Sequence, residues 1–98
     1  MAMVRKNVLD AAAQCVTTDR EAAYGSPEDN FNRIAKLWSA YSDIDFSAHD
    51  VGIYLALVKI GRISSGIVKT DNYVDLAGYA ACAGEIATER REPIELES

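Results

Sequence analysis

Residues 51–88 read VGIYLALVKIGRISSGIVKTDNYVDLAGYAACAGEIAT, and this stretch decides the fold. From Val51 to Ile63 it is apolar nearly all round, with none of the alternation of a half-buried strand. It therefore reads as a helix enclosed by protein on most sides. In a chain of 98 residues, one helix buried on every side implies that a second subunit covers part of it. Ser64-Ser65-Gly66 is a helix stop. Thr70 then reads as the cap of a further helix, with Asp71 in its first turn, where an acid suits the helix dipole. That helix is rich in alanine and glycine around Ala77, Gly78, Ala83 and Gly84. Glycine costs helix propensity, and the compensating gain is close approach of another helix.

Four charges interrupt this apolar stretch. Lys59 and Arg62 lie three apart on one helix, and Asp71 and Asp75 lie four apart on the next, so each pair shares a face. An unpaired charge on an inward face is costly. The four groups therefore form either a structural ion-pair cluster or the floor of an anion or metal site. Arginine forks and lysine point charges both suit phosphate, and paired carboxylates can hold one magnesium ion together with waters and substrate phosphates. Asp71 is also where a helix start wants an acid for electrostatic reasons alone. Asp75, one turn further in, needs a partner.

Outward from this stretch, the spacing predicts helices at about residues 4–17, 27–42, 48–64 and 71–88 within one helical domain, and a frayed charged tail at 89–98. The first helix presents Val4, Val8, Ala11, Ala12, Cys15 and Val16 on its apolar face. Ser26-Pro27-Glu28-Asp29 is a strong helix start, with a capping serine, proline in the first turn and two acids at the positive end of the dipole. This second helix is expected to bury Phe31, Ile34, Leu37, Trp38 and Tyr41. Ser47, with Asp50 three residues on, predicts a capping box. The loop feeding the Pro27 helix carries Arg20, which could contact a phosphate, and Tyr24, which could stack on a base; a plain connection needs neither.

Composition excludes several classes. The chain is 49% apolar and 26% charged, which fits a folded globular protein, and its net charge of −5 argues against a polymeric nucleic-acid binder. No apolar run approaches the roughly 20 residues of a membrane span, and no signal peptide is apparent. Cys15 and Cys82 read as small core residues, consistent with a reducing cytoplasm, bacterial or of an infected host. His49, the one histidine, reads as surface decoration.

The motifs Asp19-Arg20, Tyr24-Gly25-Ser26-Pro27, Asn30-Phe31, Ile34-Ala35, Leu37-Trp38, Lys59-Ile60-Gly61-Arg62 and Asp71-Asn72-Tyr73-Val74-Asp75-Leu76-Ala77-Gly78-Tyr79-Ala80 resemble a group of short phage and prophage proteins of unassigned function, from the first helix to about Ala87. More distantly, the last two helices resemble the MazG-like, all-α nucleotide pyrophosphohydrolases. That second resemblance implies a four-helix bundle working as a homodimer or tetramer. It also implies magnesium held by acids on two consecutive helices, and cleavage of a nucleoside triphosphate to its monophosphate and diphosphate. The family pattern is a Glu-x-x-Glu pair followed by a Glu-x-x-Asp pair. Asp75 matches the final aspartate, Asn72 occupies the preceding glutamate position, and Asp71 is adjacent. No glutamate lies between Val51 and Ile63, where Lys59 and Arg62 stand instead.

The resulting expectation is an all-α, MazG-like, oligomeric protein that binds a nucleotide or another phosphate-bearing small molecule. Asp75 and Asp71 are its candidate catalytic groups, and these two with Asn72 its candidate magnesium ligands. Lys59, Arg62 and Arg20 are the candidate phosphate contacts, and Tyr24 and Tyr79 the candidate base contacts. Hydrolysis is left open. The alternative is a non-enzymatic phage accessory or interaction protein in which Lys59, Arg62, Asp71 and Asp75 pair structurally.

Overall fold

The computed structural model describes residues 4–19, 23 and 25–88. Among them the fold is all-α, with four α-helices and no strand: α1 (Arg5–Gln14), α2 (Pro27–Ser42), α3 (Ala48–Ser64) and α4 (Thr70–Thr88). A π-helical turn, Cys15–Asp19, continues α1. Arg20, Tyr24 and the tail at 89–98 lie outside the described residues.

Local chemistry sets the helix starts. Ser26 accepts a hydrogen bond from the Asp29 amide and Pro27 opens α2, so one otherwise orphaned donor is satisfied and the backbone is preset for a helix. Ser47 and Asp50 form the reciprocal capping box at α3. Each such cap contributes about 1 kcal/mol. Asp43 ends α2 in the left-handed region at φ 63°, which a short polar side chain tolerates better than most. Gly66, at φ 88°, turns the chain after α3 where a side chain would be strained. Thr70 is the first residue of α4 rather than its cap, and the Asn72 amide donates to the Lys69 carbonyl.

The core sits where α2, α3 and α4 meet. Val51 is fully enclosed, with Phe31, Ala35, Ala48 and Cys82 buried around it. Trp38, Phe46 and Tyr54 pack edge-to-face in a triangle at one end, with ring centroids 5.6–6.4 Å apart. The Ser39 hydroxyl accepts from the Phe46 amide at 2.8 Å and pins the connecting loop beneath it. The closest helix approach is between α3 and α4. A Cβ placed on Gly52 would lie 2.9 Å from Ala83 Cβ, and one placed on Gly78 would lie 3.0 Å from Val16 Cγ1. Small residues thus do bring helices together, at Gly52 and Gly78; Gly84 has open space beside it.

Two expectations about burial are corrected. Leu37 and Tyr41, read as part of the buried stripe of α2, are 66% and 95% exposed. Phe31, Ala35 and Trp38 supply the part of α2 that meets the core. On α1, Ala12 is buried and Val8, Cys15 and Val16 are half-buried, whereas Val4 and Ala11 are exposed, because this short helix packs mainly on α4. Within one chain α3 keeps an open face: Ile53, Leu57 and Ile60, which share one side by their i, i+4, i+7 spacing, are exposed.

Candidate functional site

The close contact of Gly52 with Ala83 fixes the register of α3 against α4. Moving about two turns along each helix, forward on α3 and back on α4, brings Lys59 opposite Asp75. Their side chains meet: Lys59 Nζ lies 2.9 Å from Asp75 Oδ2, and the two side chains are 13% and 27% exposed. An ammonium and a carboxylate at this distance and burial form a charge-assisted hydrogen bond screened less than a surface pair. One turn further on, Arg62 faces the start of α4.

Asp75 and Asn72 direct α4 into two different cavities. The first is a small pocket of about 30 Å³ between the end of α1, the start of α2 and α4. Its wall is mostly apolar, from Val16, Phe31 and Val74, with Asn30, Asp75 and Tyr79 as polar groups and Gly78 at its base. The second is a more open groove at the end of the α3–α4 pair, lined by Arg62, Ser65, Lys69 and Asn72 on a floor that includes Val58 and Gly61.

The candidate residues therefore separate. Lys59 and Asp75 are joined, and Tyr79 shares the first cavity with Asp75. Arg62 and Asn72 share the groove. Asp71 is exposed and lines neither cavity. Arg20 and Tyr24 lie outside the described residues, in the segment leading to Gly25, which itself lines the first cavity.

Two contributors escape the sequence reading. Asn30 lies one turn into α2 and reaches the pocket, although its position in a polar first turn gives no sign of that. Lys69 precedes α4 and joins Arg62 across the turn; a cation directly before a helix start was the available signal.

A resident magnesium ion does not fit these donors. Magnesium needs oxygen ligands in near-octahedral array, yet Asp75 already receives the Lys59 ammonium, and Asp71 points elsewhere. Asp50 is engaged by its capping box, and among the described residues no three His, Cys, Asp or Glu side chains converge. No helix among those residues is long and apolar enough to cross a membrane.

An all-α protein with a charged seam between its last two helices, flanked by a pocket and a groove, is the class these features define. The chain belongs to the family described as a domain of unknown function, DUF6378, which it matches over residues 7–87. It is 35% identical over 90 residues to the Gene 55 protein of Mycobacterium phage D29, covering 92% of this chain and 58% of that protein. It is 36% identical over 75 residues to the Gene 55 protein of Mycobacterium phage L5, covering 76% of this chain and 48% of that protein. The chain thus spans about half the length of these curated relatives. This is a phage protein family of unknown function, as the motifs from Asp19 to Ala80 imply. No solved structure matches the chain.

Proposed function

We propose that this protein binds a nucleotide, or a small molecule of the same phosphate-bearing class, and holds it without hydrolysing it. The carrying observation is the Lys59–Asp75 pair. The carboxylate best placed to hold a metal is matched by an ammonium instead, and metal-assisted phosphate cleavage needs several anionic ligands around hard cations. Along the same seam Lys59, Arg62 and Lys69 outnumber Asp71 and Asp75, in a chain whose net charge is −5. Local cations of this kind attract phosphate even on an acidic protein.

In this reading the small apolar pocket beside Asp75, lined by Asn30 and Tyr79, widens to admit a base. Arg20 and Tyr24, outside the described residues, stay the candidate phosphate and base contacts of this reading. In this reading the chain is of MazG-like ancestry and has lost the metal cluster, and any magnesium arrives on the ligand's phosphates. The second reading is a non-enzymatic phage accessory protein, favoured by the same pair, because Lys59 and Asp75 satisfy each other without a ligand. Both readings include self-association through the exposed apolar face of α3.

A panel of nucleoside triphosphates, with and without magnesium, separates them by thermal shift, since a ligand selective for the folded state raises stability. Saturable stabilisation supports the binder; a melting temperature indifferent to every nucleotide supports the accessory protein.

A further inference from the structure

We infer that the groove at the start of α4 is a metal-independent phosphate site, formed by Arg62, Lys69, Asn72 and the first amides of that helix. Three independent features converge there. First, the N-terminal end of the 19-residue α4 borders the groove through Lys69 and Asn72. The Thr70 and Asp71 amides carry the positive end of that helix, while the Asn72 amide donates to the Lys69 carbonyl.

Second, Asn72 is 7% exposed and lines the groove, yet its carboxamide makes no hydrogen bond to a described residue. No side-chain nitrogen or oxygen in these parts of the structure is both enclosed and unpartnered, so the amide must open onto the groove. An amide that opens onto the groove has its donors and acceptor free for an oxygen-bearing ligand, in exchange for water.

Third, Arg62 and Lys69 enter from opposite sides of the turn between α3 and α4, both exposed and neither in an ion pair with a described residue. The neighbouring charges do not cancel them. Asp75 is engaged by Lys59 one turn away, and Asp71, though in the first turn of α4, lines no part of the groove. A fork, a point charge, an amide donor and helix amides on one concavity match the oxygens of a phosphate group.

The site takes a terminal phosphate or diphosphate directly on protein donors. It reassigns the phosphate contacts: Lys59 is committed to Asp75, and Lys69 takes its place beside Arg62. The inference rests on the groove alone and does not require a base in the pocket beside Tyr79.

The test is titration of the uniformly labelled protein with inorganic diphosphate at fixed ionic strength and in chelator, followed by amide resonances. Saturable shifts at Thr70, Asp71 and Asn72 are expected. Affinity should fall at least about tenfold, the loss expected for a charge-assisted contact, in Arg62→Ala combined with Lys69→Ala. It should also weaken in Asn72→Leu, while Lys6→Ala, which removes a cation on the distant α1, leaves it unchanged. Shifts spread over the surface without saturation, or equal loss in Lys6→Ala, overturn the site. If diphosphate binds there and no nucleotide binds more tightly, the groove stands and the pocket reading fails. If a nucleotide binds with the α4 amides unshifted, the groove inference fails and the pocket reading survives.

Discussion

Gly52 and Ala83 set the distance between α3 and α4: a Cβ at position 52 would stand 2.9 Å from Ala83 Cβ and 3.4 Å from Ala83 Cα. Neither atom belongs to a flexible side chain, so the helices themselves must move to admit a methyl group. Alanine would gain about 1 kcal/mol of helix propensity over glycine, but overpacking a closed interface costs about 1–3 kcal/mol. Gly52→Ala is therefore expected to lower stability, by up to about 2 kcal/mol net, in denaturant unfolding followed by the fluorescence of Trp38. Gly84→Ala is the matched control. It has nothing within 4 Å and should gain up to about 1 kcal/mol.

Lys59 and Asp75 are coupled in stability. Deleting one partner leaves a largely buried charge behind, which places the cost between that of a surface pair and that of a fully buried one, about 1–3 kcal/mol. Lys59→Met and Asp75→Asn should each destabilise the protein, and the double variant should lose less than the two losses added. Strict additivity would mean that the ion pair contributes nothing.

The exposed face of α3 should mediate self-association. Ile53, Leu57 and Ile60 leave one side of an otherwise apolar helix uncovered, and a contiguous patch of this kind commonly marks an interface. Sedimentation equilibrium is expected to show a dimer or higher species that Leu57→Glu converts to monomer. A monomeric parent protein at tens of micromolar would remove the self-association proposal.

How much of this was legible in the sequence follows from the range of each interaction. The starts of α2 and α3 are written in four-residue signals, Ser26-Pro27-Glu28-Asp29 and Ser47 to Asp50, because caps are local chemistry. The pairing of Lys59 with Asp75 was one of two readings open from the charge pattern; only the register of two helices selects it. That register hinges on Gly52, whose importance lies in Ala83, thirty-one residues away in a numbering that carries no sign of contact. Periodicity marked Leu37 and Tyr41 as apolar-face residues, but it cannot say whether this chain or another covers them. The groove was invisible for a similar reason. Lys69 belongs to no periodic pattern, and Asn72 reads from the sequence only as a possible metal ligand; its place on the groove wall depends on the turn between α3 and α4.

The aromatic triangle offers a structural check away from the charges. Phe46 packs edge-to-face on both Trp38 and Tyr54, and the half-buried ring closes the α2–α3 connection. Phe46→Ala should cost about 2–3 kcal/mol, below the range for a fully buried ring, and shift Trp38 emission to the red. An unchanged emission maximum would show that the triangle does not form in solution.

Phosphorus NMR of a nucleoside triphosphate mixed with the protein and magnesium tests binding without turnover most directly. Broadened or shifted triphosphate resonances that saturate, return on dilution and persist for hours with no diphosphate signal are the predicted result. Release of diphosphate that disappears in Asp75→Ala would contradict it, and would make Asp75 a catalytic group despite its hydrogen bond to Lys59.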